Sequence, residues 1–245
     1  MRDAKGTITD FDTPDAGVGA YQGSVPVNIN VAGDIAGYYI DAGSVYHGFV
    51  RAGDGAIREF DAPDARTGVN QGTVGSDINA AGTVTGDYVD ASSVCHGFVR
   101  VVSGTINTFD APGAGSGAGT LQGTFPSGIN TAGDIAGFYS DASNVYHGFL
   151  LATPTKTTTT LTSSPNPSVY GQLVTFTAVV SSTIGTPPDG ETVSFMKGTT
   201  VLGTGTLSGG SASYMNSTLK VGTNSIKAVY GGDSNFAGST SNVVK

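Results

Sequence analysis

Residues 33–50 read GDIAGYYIDAGSVYHGFV, and the same sentence returns as GTVTGDYVDASSVCHGFV over residues 82–99 and GDIAGFYSDASNVYHGFL over residues 133–150. Each copy closes on His-Gly-Phe, and His47, His96 and His147 stand 49 and 51 residues apart. Inside each copy apolar and polar residues alternate in short runs broken by Gly and Asp, the pattern of half-buried strands. A period near fifty built from such runs predicts a β-propeller or a related array of small sheets.

The repeated unit extends beyond these stretches. After each of the first two copies come a strand-like run and an Asp-x-Pro turn, Phe60-Asp61-Ala62-Pro63 and Phe109-Asp110-Ala111-Pro112. The same element, Phe11-Asp12-Thr13-Pro14, stands near the N-terminus ahead of any full copy. Gln22-Gly23, Gln71-Gly72 and Gln122-Gly123 follow these turns, and then Ile29-Asn30, Ile78-Asn79 and Ile129-Asn130. Each unit thus predicts four strands: one ending in Ile-Asn, one in Gly-x-Ile-x-Gly-x-Tyr, one in Tyr-His-Gly-Phe, and one ending in Phe-Asp. The third unit reaches Leu151 without a fourth strand. The opening run, Thr7 to Asp12, is a candidate to complete it and seal a ring. Propellers hold roughly four to eight blades, so an open three-sheet array and a piece of a longer propeller stand beside the sealed ring.

Composition sets the class. Of 245 residues 38 are Gly, charged residues are 12%, and helical periodicity is scarce. The chain reads as all-β: a propeller-like array of three four-stranded units over 1–152, a Thr-rich linker over 153–158, and an immunoglobulin-like β-sandwich over 159–245. The net charge of −8 is uneven, with 6 Lys/Arg against 16 Asp/Glu in residues 1–152 and 5 against 3 thereafter. An acidic array without a basic stripe argues against nucleic acid as a partner. No apolar run approaches the roughly 20 residues that span a bilayer, so membrane insertion is not expected. The opening MRDAKGTITDF has no apolar signal-peptide core, and a single cysteine, Cys95, forms no internal disulfide.

In the C-terminal third, Val174, Phe176, Ala178 and Val180 alternate on one face, Val193 and Phe195 mark another strand, and Ile226, Ala228 and Tyr230 a third. Six or seven such strands in about 90 residues describe a sandwich.

Two resemblances follow from these words. The N-terminal half resembles bacterial extracellular repeats named for a His-Ala/Gly-Phe element, matched by Gly-x-Ile-x-Gly-x-Tyr-x-Asp followed by His-Gly-Phe. The second copy departs, with Asp87 in place of an aromatic and Cys95 in place of Tyr. The C-terminal half is similar to bacterial Ig-like repeat domains of surface proteins, through TLTSSPNPSVYGQLVTFTA, PPDGETVSF and LKVGTNSIKAVYGGDSNFAGSTS. These resemblances imply export to the cell surface and bring no catalytic motif.

Among candidate sites, His47, His96 and His147 recur in every unit, which favours a structural role, each imidazole bonding a carbonyl or an Asp between neighbouring sheets. The competing reading gathers them with Asp41, Asp90 and Asp141 into a metal or ligand ring, which needs convergence. Each of these aspartates precedes small residues, as a turn-forming Asp does. Calcium stays open because oxygen ligands abound, although no EF-hand loop is present; no other cofactor is expected. The binding residues expected of a glycan site are Tyr21, Tyr38, Asp41, Asp90 and Asp141, with the absence of Trp counting against it. The expectation is a non-catalytic surface module that binds or spaces, with polysaccharide or another surface protein as partner. A polysaccharide-binding module is the first alternative and a propeller-type glycan hydrolase or lyase the second.

Overall fold

The structure, a computed structural model, describes residues 6, 8–119, 122–183 and 185–245. It contains strands and no helix among these residues. The chain divides into two compact units, Met1–Ala152 and Thr153–Lys245.

The first unit carries three up-and-down antiparallel sheets. The first is β1 (Gly23–Ile29), β2 (Ile35–Ile40), β3 (Tyr46–Arg51) and β4 (Ile57–Phe60). The second repeats it as β5 (Thr73–Ile78), β6 (Val84–Val89), β7 (Cys95–Arg100) and β8 (Ile106–Phe109). The third has β9 (Gly123–Ile129), β10 (Ile135–Ser140) and β11 (Tyr146–Leu151). A single parallel bridge from Cys95 to Gly123 runs the second and third together, and its counterpart, Tyr46 to Gly72, joins the first to the second.

Each junction is built from the same parts. The amides of Tyr46 and Cys95 donate to the carbonyls of Gln71 and Gln122, both at 2.8 Å. The Asp-x-Pro segment crosses to the next sheet, where the amides of Ala62 and Ala111 donate to Thr73 Oγ1 and Thr124 Oγ1 at 3.0 Å. The Phe of that segment goes with it: Phe60 meets Phe98 edge-on at 5.8 Å and Phe109 meets Phe149 at 6.0 Å. Ala36, Ile78, Val84 and Phe98 bury the core between the first two sheets. A Cβ on Gly72 or Gly123 would lie 2.0 or 1.9 Å from the carbonyl oxygen of Tyr46 or Cys95, so only glycine lets the backbones meet there.

Among the described residues no strand pairing joins the opening segment to the third sheet. Thr7 lies outside the described residues, and the segment around Phe11 docks on the first sheet. Phe11 packs edge-on against Phe49 at 6.1 Å, and the Thr13 amide donates to Ser24 Oγ at 2.7 Å, as Ala62 does to Thr73. Gly148, by contrast, has among the described residues only the Gly137 carbonyl oxygen, at 4.0 Å, near the space a Cβ would take, whereas Phe60 and Phe109 rings lie over Gly48 and Gly97. The third sheet therefore has three strands among the described residues rather than four. The reason is in the chain: after β11 the sequence enters the second unit instead of another Phe-Asp strand.

The second unit is a two-sheet sandwich. One sheet orders β12 (Thr157–Ser164), β13 (Val174–Ser182) and β16 (Ser211–Asn216). The other orders β15 (Thr200–Thr206), β14 (Thr192–Lys197), β17 (Ile226–Gly232) and β18 (Ala237–Thr240). The alternating residues named above from β13, β14 and β17 all face the buried core. The Thr-rich stretch is not a free linker over 153–158. The Thr155 amide already donates to the Asn235 carbonyl at 2.7 Å, and β12 starts at Thr157 with Thr159 and Leu161 buried. Threonine is β-branched and suits a strand with one covered face, so this run pairs with β13 from its first residue.

Candidate functional site

Two arrangements recur or converge in the first unit. One is a cluster of Tyr, His and Asp repeated in each sheet. The β2–β3, β6–β7 and β10–β11 hairpins turn at Asp41, Asp90 and Asp141, with Ser44, Ser93 and Asn144 in the left-handed region at φ 61–62. Asp41 Oδ1 accepts from the amides of Gly43 and Val45, both at 2.8 Å, and Asp90 and Asp141 repeat this with Ser92 and Val94 and with Ser143 and Val145. The Val45 amide, helped by Gly43 and His47, holds the Asp41 carboxyl below its usual range against the effect of burial. Burial pushes Asp90 upward more strongly, yet the Val94 and Ser92 amides and His96 together bring it below the usual range. The Val145 amide and then His147 lower Asp141.

Each imidazole lies flat on the tyrosine across the hairpin: Tyr39–His47 at 4.9 Å, Tyr88–His96 at 5.2 Å and Tyr139–His147 at 4.9 Å. Nε2 faces the hairpin aspartate at 3.6, 3.5 and 3.1 Å. Nδ1 of His47 meets Asp61 at 2.9 Å, and Nδ1 of His96 meets Asp110 at 3.0 Å. Asp61 and Asp110 stand at the start of the segment that crosses to the next sheet, and Thr124 Oγ1 of that sheet also donates to Asp110, at 3.3 Å. Asp61 and Asp110 follow their histidines by 14 residues, a constant spacing that sequence reasoning could have used. The position 14 residues after His147 is Leu161.

The three histidines thus sit in three separate clusters. No group of three or more His, Cys, Asp or Glu side chains is placed to hold a metal ion among the described residues. Asp41, Asp90 and Asp141 fasten turns. His47→Ala and His96→Ala are each expected to cost about 1–2 kcal/mol, and His147→Ala less, because among the described residues His147 meets one carboxylate where the others meet two. Urea denaturation of the three variants checks this ordering.

The second arrangement is a groove of about 410 Å³ that all three sheets line. Equivalent positions of β2, β6 and β10 supply Tyr38, Asp87 and Phe138, while β5 adds Val74 and β9 adds Phe125 and Pro126. Phe125 and Phe138 stack at 4.9 Å. Tyr38 leans on Tyr46 at 5.5 Å. Asp87 has no hydrogen-bond or ion-pair partner among the described residues, and burial alone pushes its carboxyl up to about 7. A smaller hollow of about 120 Å³, lined by Tyr46, Gln71 and Val89, reaches Asp87 from the first junction. Cys95 is buried nearby, its thiol raised to about 12 by burial first and by the Asp87 and Asp90 charges next, which leaves it a poor nucleophile.

Of the residues expected to bind, Tyr38 lies in this groove. Tyr21 stands 95% exposed in the loop before β1, with φ 64. Sequence reasoning missed Asp87, Phe125 and Phe138. The signal was divergence: at a position where the other two units carry an aromatic, the second carries a carboxylate.

A family model described as a bacterial Ig-like domain (group 3) matches residues 161–245. No curated protein and no solved structure matches the chain. The matched segment coincides with the seven-stranded sandwich, so the C-terminal third is an Ig-like domain of the bacterial kind, a class typical of surface proteins and generally not enzymatic. No helix long and apolar enough to cross a membrane occurs among the described residues.

Proposed function

We propose that the chain is a non-catalytic module of a bacterial cell-surface protein, in which a propeller-like repeat array presents a binding groove and the Ig-like domain acts as spacer or adhesion domain. The observation that carries this reading is the groove itself. The three units agree in their turns, junctions and His-Asp clusters, and differ where they face the groove, at Tyr38, Asp87 and Phe138. A duplicated scaffold whose copies differ at a shared concavity is suited to recognition.

Within that reading, a polysaccharide is the ligand the lining favours. Tyr38 and Phe138 offer aromatic surface to the apolar faces of sugar rings, and Asp87 offers a hydrogen-bonding carboxyl that is half protonated near neutrality. Asp87 is also the one carboxylate among the lining residues. Glycoside hydrolysis by the usual route needs two, about 5–10 Å apart, which supports binding over cleavage in this groove. The reading needs no cofactor.

The test is retention of the full chain on insoluble polysaccharides and cell-wall material, with and without calcium, beside Tyr38→Ala and Phe138→Ala. Retention is expected to fall about tenfold or more in either variant, the loss of one stacking contact worth about 1.5 kcal/mol. Equal retention of all three proteins would remove the groove from the reading, and no retention would leave the spacer role.

A further inference from the structure

Among the described residues Asp87 is the one charged side chain that lines the three-sheet groove. The rest of the lining is aromatic, aliphatic or hydroxyl-bearing, with Ser76 and Ser127 beside the Tyr38 phenol. No hydrogen bond or ion pair among the described residues reaches the Asp87 carboxyl, and burial alone sets its proton affinity. The smaller hollow at the first junction meets the same residue and adds Tyr46, Asn70 and Gln71, again with no basic side chain. Other aspartates of the array are answered where they are covered. Asp77 accepts from the amides of Ile78 and Ile129 at 2.8 and 2.7 Å, and Asp90 from those of Ser92 and Val94 at 2.8 Å.

The repeat does not require a carboxylate at this position, because Tyr38 and Phe138 occupy it in β2 and β10. A covered carboxylate without a partner is unfavourable when ionised, and a ligand that brings the missing charge relieves it. The surroundings select the sign of that ligand. The faces of Tyr38, Phe125 and Phe138 carry the negative side of the ring quadrupole, and residues 1–152 hold 6 Lys/Arg against 16 Asp/Glu. The aromatic faces and the net charge of the array therefore both favour a cation in this concavity. Its volume of about 410 Å³ lies within the range of small-ligand clefts. Phe138, 39% exposed and stacked on Phe125, offers aromatic surface to a ring. An uncharged sugar would use that surface and leave Asp87 unpaired. A lysine side chain would pair with Asp87 but bring no ring to the aromatic surface.

We propose, with that same groove as the binding site, that the polysaccharide it takes carries free amino sugars, the ammonium of one sugar pairing with Asp87 while its ring packs on Tyr38 and Phe138. The ion pair supplies the charge that the lining lacks, and the ammonium also lies near aromatic faces that attract it. An ammonium beside Asp87 favours the ionised carboxyl, so the proton that burial retains near neutrality passes to water on binding. N-acetylation of the same sugar removes the charge and leaves the ring, so the groove distinguishes the two forms through Asp87 and holds what they share through its aromatic residues.

Titration calorimetry of the full chain at neutral pH reads the result, with soluble glucosamine oligomers, their fully N-acetylated counterparts of equal length, and lysine oligomers as probes. Salt at about 0.15 M screens the general attraction of cations to the acidic array. The parent chain is expected to bind glucosamine oligomers about tenfold or more tighter than either of the other probes. Asp87→Asn keeps the shape of the side chain and is expected to abolish that preference by weakening the glucosamine arm alone. Tyr38→Ala is expected to weaken the glucosamine and N-acetylated arms together. Equal binding of these two probes by the parent, with both weakened in Tyr38→Ala, overturns the amino-sugar assignment and leaves the groove as a glycan site. A preference that survives in Asp87→Asn overturns it too, since the ammonium is then held elsewhere. Lysine oligomers bound as tightly as glucosamine oligomers overturn it in favour of a protein partner. No binding of any probe overturns it as well, while retention on insoluble polysaccharide still decides the groove reading by itself.

Discussion

Asp87→Asn is expected to raise the melting temperature well above pH 7 and to change it little near pH 4. The groove holds the Asp87 carboxyl at about 7 through burial, from an ordinary value of 3.8. Between those values the folded chain keeps a proton that the unfolded chain releases, so stability falls as pH rises through the window. The stabilising difference is fully present below about pH 4 and lost above about pH 7, and at 1.36 kcal/mol per unit it amounts to no more than about 4 kcal/mol. The carboxyl is partly open to the groove, which reduces that ceiling. Asparagine keeps the shape and carries no charge, so the variant lacks this slope. Thermal melts of both proteins at a series of pH values check the difference directly, and the other carboxylates, common to both, cancel. Parallel curves would mean that water solvates Asp87 fully.

Gly123→Ala is expected to destabilise the repeat array by about 3 kcal/mol or more, lowering its melting temperature by about 10 °C. At φ 130 the position is closed to a side chain, and the added Cβ would fall on the Cys95 carbonyl. The backbone must separate there, and the Cys95–Gln122 hydrogen bond lies beside the separation. The Ig-like domain has its own core and is expected to melt unchanged, so calorimetry should show one transition moving and one fixed. Gly119→Ala is the control: it also has positive φ, at 75, but a Cβ there meets nothing within 4 Å among the described residues. Strain without collision should cost about 1 kcal/mol.

Much of this architecture was legible because duplication repeats the signal. Alternation around Tyr-His-Gly-Phe placed β3, β7 and β11, and Val174 to Val180 placed β13, since side chains on a strand with one buried face must alternate. The Thr-rich connector was misread because threonine suits both an exposed linker and a half-buried strand, and only the neighbouring Ser239 and Ala237 decide between them. Thr157 Oγ1 donates to the Ala237 carbonyl and shares a hydrogen bond with the Ser239 hydroxyl. The destination of Phe11 was not legible either. Its motif says what it is, a fourth strand, but not which sheet it serves, and here it serves the one that follows. The groove was half legible: Asp87 stood out as an exception in its repeat, while the convergence of Tyr38, Asp87 and Phe138 depends on how successive sheets stack, which no local pattern encodes.

The tie between Thr155 and Asn235 has a mechanical consequence. Three residues, 152–154, lie between the end of β11 and the Thr155–Asn235 bond, so tension applied through the Ig-like domain acts on Leu151 with almost no slack. Among the described residues β11 pairs with β10 alone, in a ladder that runs from Leu151–Ile135 to Tyr146–Ser140. A pull on its end breaks those bonds one after another, as a zipper opens, and needs little force.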